Sequence, residues 1–286
     1  MASSEASTTV SAPRPNSERP YLSEEVVSVK RQKSEDRLAG LADVKPLVER
    51  LQTKNAVLDR TCRQCQSSNN NNKIYCYKCL VPVGKPEENA LPRVDLPIKL
   101  DILRHPKELR TKSTALHAGI LCPKEMVRIE ELPNESKLSE IDPEKTLLLF
   151  PTADSTTLEE IPDLNTIERV VVVDSTWQQA NSVLRSDLCQ RLTRRVKLAK
   201  THETSFWRHQ RKGDDHLATI EAIYYFFRER YEVMNKGDYD GRYDNMLYIF
   251  VGMLRVIEEA KKHEKEEEET KAKDDESKGK EKESSS

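Results

Sequence analysis

Glycine is scarce in this chain, with eight in 286 residues. No glycine-rich loop is left to cradle a phosphate, and the fingerprint of a Rossmann dinucleotide site is absent. No apolar run reaches the length of about eighteen residues that a membrane-spanning helix needs, so no membrane partner is expected. The first residues lack the apolar core of a signal peptide, and Glu5 and Glu18 argue against an organellar transit peptide. The expectation is therefore a reducing setting, nucleus and/or cytoplasm, where the six cysteines do not form structural disulfides. The "KRQK" at Lys30 to Lys33 is a short basic signal of the kind that aids nuclear entry.

Both ends are poor in residues that can be buried. Residues 1–42, rich in Ser, Pro and charge, read as a disordered tail. Residues 261–286, "KKHEKEEEETKAKDDESKGKEKESSS", read as a charged disordered tail or, near the last helix, as a solvated extension. The formal net charge of -2 averages over that tail: from Glu258 to Ser286, twelve acids face eight lysines, a net of -4, so residues 1–257 carry +2. Between Arg185 and Lys212 lie nine cations: Arg185, Arg191, Arg194, Arg195, Lys197, Lys200, Arg208, Arg211 and Lys212. Against Asp187 and Glu203 they leave a local +7. Such a segment suits the phosphates of a polyanion, and equally a solvated basic face.

Four of the cysteines fall in "CRQCQSSNNNNKIYCYKC". Cys62 and Cys65 are separated by two residues, as are Cys76 and Cys79, with ten residues between the pairs. Two such knuckles can surround one zinc ion with four thiolates and leave no open position, which makes the metal structural rather than catalytic. The "SSNNNN" between them is chemistry that reverses a short hairpin. Residues 43–90 are thus expected to form a zinc-binding module and linker, ahead of a main domain over 91–260. Cys122 and Cys189 read as small core residues.

Three continuous apolar runs follow: "IKLDIL" (Ile98 to Leu103), "TLLLFP" (Thr146 to Pro151) and "RVVVVD" (Arg169 to Asp174). They lack the alternation of a half-solvated sheet, which predicts an α/β fold whose mostly parallel sheet has helices on both faces. Such sheets gather ligands at the carboxyl ends of their strands. "RRVKLAK", Arg194 to Lys200, is expected as a further strand near an edge. Helices are predicted over "KELRTKSTALHAGIL", "TWQQANSVLRSDL", "HLATIEAIYYFFRERYEVM" and "DNMLYIFVGMLRVIEEA", the last two carrying apolar residues at helical spacing.

Asp174 stands where the valine run ends. A carboxylate there can act as a general base, orient a ligand as an acceptor, or cap the next helix. Thr176 can cap or contact a ligand, and Trp177 offers a face for stacking a base or filling the core.

Together these residues resemble a known pattern. "DSTW" matches the D-x-T-W signature of the DTW-domain family, and the paired cysteine knuckles, "HPKE", "STALHAGIL", "LLLFP", "FWRHQ" and "LATIEAIYYF" occur in the family's order. The resemblance implies a tRNA-uridine aminocarboxypropyltransferase. Its reaction would move the 3-amino-3-carboxypropyl group of S-adenosylmethionine to N3 of a uridine in tRNA and release methylthioadenosine. It implies Asp174 as base or acceptor at N3, with Thr176 and Trp177 shaping the pocket. Pro151, Leu217, Thr219 and Glu221 would line the S-adenosylmethionine site, and Arg208 would bind the cofactor carboxylate or a tRNA phosphate. His105, Glu108, Ser113 and Thr114 match family motifs as well. The family's fold is SPOUT-like, with a trefoil knot around the cofactor. Ala218 departs from the pattern, which has serine there. Two other readings of the residues remain: a non-catalytic, zinc-containing tRNA-binding protein, and an S-adenosylmethionine-dependent RNA methyltransferase. The sequence leaves the oligomeric state open.

Overall fold

The computed structural model describes residues 38–54, 57–67, 73–132, 141–202, 204 and 217–283. Most of the N-terminal tail, most of the "SSNNNN" turn, Arg208, Arg211, Lys212 and the side chain of Trp177 lie outside the described residues.

Five strands form one sheet: β1 (Lys99–Arg104), β2 (Val127–Glu131), β3 (Thr146–Leu149), β4 (Arg169–Asp174) and β5 (Arg195–Val196), in the order β2-β1-β4-β3-β5. Every pairing is parallel. The valine run forms β4, at the centre, because its side chains must be covered on both faces. Val170 and Val172 join Leu100, Ile102, Leu147 and Leu149 in the larger apolar cluster, which also holds Leu116, Ile220, Ile223, Phe227 and Phe250. Val171 and Val173 point the other way, with Leu103 and Leu148, onto Val183, Leu184 and Leu188.

Among the described residues the α-helices are α1 (Lys45–Gln52), α2 (Leu116–Leu121), α3 (Trp177–Leu184), α4 (Asp187–Arg191), α5 (Thr219–Asn235) and α6 (Tyr248–Glu283). The α/β expectation is met, with several corrections of detail. β2 was not foreseen, because "VRIEE" lacks the continuous apolar run of the other strands; it is an edge strand and only half-buried. β5 is far shorter than "RRVKLAK". The helix expected over "TWQQANSVLRSDL" breaks after Leu184, where Ser186 starts α4 by accepting the Cys189 N–H with its hydroxyl. α2 occupies only the end of its predicted segment. The charged run from residue 261, read as a disordered tail or as a solvated extension of the last helix, takes the second form and continues α6 to Glu283. Lysine and glutamate are good helix formers, and opposite charges four apart such as Lys262 and Glu266 favour the helix.

The cysteine module is docked onto the sheet domain rather than set apart. Leu47 and Val48 of α1, and Ile74 and Tyr75 between the knuckles, belong to the same apolar cluster as the sheet. Arg50 is buried and donates from Nε to the Lys73 carbonyl at 2.6 Å and from Nη2 to the Asp59 and Val83 carbonyls at 3.1 and 3.2 Å. α1 crosses α6 at Gly252, where a Cβ would stand 2.5 Å from Leu47 Cδ2.

That close approach sets a stability test. Gly252→Ala should cost about 1–3 kcal/mol by overpacking, read as a lower urea midpoint. Adding Leu47→Ala should then cost less than Leu47→Ala costs in the parent protein, because the two sites are in contact.

Candidate functional site

The register places Arg104 opposite Asp174, at the carboxyl ends of β1 and β4. Asp174 is 2% exposed. Its Oδ2 accepts from Ser113 Oγ at 2.7 Å and its Oδ1 from Thr219 Oγ1 at 3.0 Å. Arg104 Nε stands 3.4 Å from Oδ2, and the Arg104 guanidinium also donates to Glu131 Oε2 at 3.0 Å and to the Glu108 carbonyl. Burial pushes the carboxyl above the usual carboxylate range, opposed by the bonds from Ser113 and Thr219 and by the nearby Arg104. One carboxylate therefore ties together three segments far apart in the chain: the loop after β1, the end of β4 and the start of α5.

The start of α5 is held from several directions. Thr114 Oγ1 accepts the Ile220 N–H at 3.3 Å. Glu221 Oε2 accepts the Ala218 N–H at 2.8 Å and the Thr204 hydroxyl at 2.6 Å. This is half of a capping box; alanine at the N-cap has no oxygen with which to supply the other half. Glu221 is thus a helix cap, 2% exposed.

Beside this cluster lies a cavity of about 460 Å³ at the carboxyl ends of β3, β4 and β5. Its walls include apolar Leu149, Phe150, Val172 and Leu198, and polar Ser175, Lys197, Lys200, Thr201 and His202. Pro151, Leu217 and Thr219, three of the expected cofactor residues, line it as well. Glu221 and Asp174 do not; each is turned into the protein by the bonds above. Because Thr219 donates its only hydroxyl proton to Asp174, its oxygen presents lone pairs to the cavity. Thr176 is exposed and serves as the N-cap of α3, with Gln179 Oε1 3.4 Å from its N–H.

In the sequence Ser113 stands only as a motif residue, and the one signal of Arg104 is a cation closing an apolar strand. Lys197 and Lys200, expected to face RNA, line the cavity, as do Ser175 and His202, which carry no motif. The basic segment is less positive than its composition: Arg194 forms a two-pronged pair with Asp163, Arg195 stands 3.6 Å from Asp154, and Lys200 donates to Glu232 at 2.7 Å. Arg185, Arg191 and Lys197 are exposed.

The sulfur atoms of Cys62, Cys65, Cys76 and Cys79 all lie within 4.8 Å of one another. Tetrahedral thiolates at zinc bond lengths stand about 3.8 Å apart, and Cys65 Sγ to Cys76 Sγ is 3.8 Å. After each second cysteine the chain turns through a left-handed residue, Gln66 at φ 55° and Leu80 at φ 52°. The Gln66 N–H bonds the Cys62 carbonyl and the Leu80 N–H bonds the Cys76 carbonyl, at 2.8 Å each, so the two knuckles share one geometry. The four thiolates suit one metal ion.

These features define an α/β protein with a strand-end cavity and a four-cysteine module able to hold a metal. The comparisons place it more closely: residues 73–258 match the DTW domain, and the chain belongs to that family. A mouse relative named tRNA-uridine aminocarboxypropyltransferase 1 is 35% identical, over 70% of this chain and 77% of its own length. The human protein of the same name is 33% identical over the same shares. A Drosophila melanogaster tRNA-uridine aminocarboxypropyltransferase 2 is 31% identical over 53% of this chain and 64% of its own length. No solved structure matches this chain.

Two outcomes are expected. Elemental analysis of the purified protein should find about one bound metal ion per chain, lost in Cys76→Ser together with a fall in melting temperature. Asp174→Asn should cost about 3 kcal/mol in denaturant unfolding, because it removes the buried one of the two carboxylates that face Arg104 and leaves Glu131 as its remaining charge partner; a cost within error of zero would show that the carboxylate does not anchor the strand end.

Proposed function

We propose that this chain transfers the 3-amino-3-carboxypropyl group of S-adenosylmethionine to N3 of a uridine in tRNA, releasing methylthioadenosine. The observation that carries the reading is the cavity at the strand ends, walled by the motif residues of a chain about a third identical to named tRNA-uridine aminocarboxypropyltransferases.

The residues present fit the co-substrate. A cavity near 460 Å³ is in the range of small-molecule sites. Leu149, Phe150, Val172, Leu198 and Leu217 offer apolar walls for the adenine, and Lys197 and Lys200 offer ammonium groups for the carboxylate. Thr219 offers an acceptor for an N–H or ammonium donor. When bound, S-adenosylmethionine supplies a carbon already activated by its sulfonium. The protein's part is to align the uridine nitrogen with that carbon and to remove the N3 proton.

Asp174 is assigned as the anchor that aims Thr219, and Trp177 as the stacking face for the uridine. Arg208 remains the proposed partner of the cofactor carboxylate or a phosphate. Arg185, Arg191, Arg194, Arg195, Arg211 and Lys212 are proposed as the tRNA-facing side, Lys197 and Lys200 being given to the cavity instead, with residues 43–90 as a structural zinc module on the catalytic domain 91–260. A SPOUT-like trefoil knot is part of the proposal. It is supported by a chain that passes from central β4 to edge β5, beyond β3, and returns to the centre at Thr219.

Incubation of purified protein with unmodified tRNA and S-adenosylmethionine, followed by nucleoside mass spectrometry, tests the reading. Aminocarboxypropyluridine and methylthioadenosine are the expected products. Methylated nucleoside with S-adenosylhomocysteine would overturn it in favour of a methyltransferase, and tRNA binding with no product in favour of a binding protein. tRNA affinity should fall steeply as salt rises.

A further inference from the structure

Resting on the reading above, we propose that His202 is the catalytic base that takes the uridine N3 proton, held in place by Glu229 as its positioning residue. Asp174 is poorly placed for that task. Both of its oxygens already accept hydroxyl protons, and it does not line the cavity.

The titratable side chains that do line the cavity, among the described residues, are Lys197, Lys200 and His202. A lysine ammonium donates and cannot accept a proton. Histidine is the residue type whose ring exchanges a proton near neutral pH. His202 is fixed on two sides. Its ring lies flat on Tyr225, with centroids 3.6 Å apart and an angle of 8° between planes. Its Nε2 stands 3.1 Å from Glu229 Oε1.

Glu229 is itself buried, 4% exposed, and fixed by the Ala199 N–H at 2.9 Å and the Lys200 N–H at 3.3 Å. A carboxylate on Nε2 keeps the hydrogen there and leaves the lone pair on Nδ1, the arrangement a general base requires. The charged and titratable groups beside it are Glu229 and Tyr225 on α5, and Lys197 and Lys200 on its own segment; Lys200 in turn pairs with Glu232. The only side-chain salt bridge of His202 among the described residues is the one to Glu229.

In the step, the N3–H proton passes to Nδ1, and the N3 electron pair forms the bond to the aminocarboxypropyl carbon. The carbon–sulfur bond breaks with its electrons on sulfur, so neutral methylthioadenosine leaves. The imidazolium, stabilised by Glu229, then returns its proton to water.

The test uses the full chain, unmodified tRNA and S-adenosylmethionine, with methylthioadenosine release followed against pH. In the wild type, kcat should rise with pH as the imidazole becomes neutral, then level off. His202→Gln can still donate an N–H to Glu229, and should lower kcat on the order of 100-fold or more with the affinities for both substrates little changed. The levelling should disappear. His202→Ala should regain rate when imidazole is added. Glu229→Gln keeps the acceptor for the Ala199 N–H but removes the carboxylate that fixes the ring and pairs with the imidazolium of the step, so kcat should fall while both substrate affinities hold. His202→Gln with wild-type kcat and an unchanged profile would overturn the assignment. So would loss of S-adenosylmethionine binding in His202→Ala without rescue by imidazole. Absence of aminocarboxypropyluridine from the wild type would instead overturn the reading on which the assignment rests.

Discussion

The buried carboxylate of Asp174 is the constraint on which the strand-end architecture depends. A carboxylate out of water is costly unless its oxygens are satisfied, and here two hydroxyls and a guanidinium surround it. Those partners come from residues 104, 113 and 219, so satisfying one charge brings three distant segments to one point. The cavity wall inherits its order from this junction. Thr219 faces the cavity with its proton already committed, and the start of α5 is pinned besides by Thr114 and Glu221.

The sheet supplies a level platform for that junction. Four buried valines fill both faces of β4, and the parallel register sets Arg104 beside Asp174 without any turn chemistry of its own. The cysteine module extends the same logic. Arg110 of the loop after β1 donates to the carbonyl of Tyr77, between the two cysteines of the second knuckle, at 2.9 Å. The loop that delivers Ser113 is therefore braced against the module that would hold the metal.

Much of this was legible from local pattern. β4 was read to the residue, because a continuous β-branched run bounded by charge admits few other structures, and the cysteine spacing picked out the four thiols that gather at one point. β2 was not legible, since an edge strand is half-solvated and carries weak periodicity. Glu221 looked like a ligand contact and is a cap, a distinction that rests on which way one side chain turns. The basic segment looked free to meet phosphate, yet Asp163, Asp154 and Glu232 reach three of its cations from elsewhere in the chain.

By itself, the sequence determined the fold class, the four-cysteine set able to hold a metal and the strand that ends at the site, because each is a matter of spacing or periodicity within a few residues. Tertiary structure alone decided which polar groups face the cavity and which are used up inside the protein. Asp174 closes the strand end while His202 lines the cavity, because hydrogen-bond satisfaction is settled by partners 27 to 61 residues away in sequence, and no local pattern contains them.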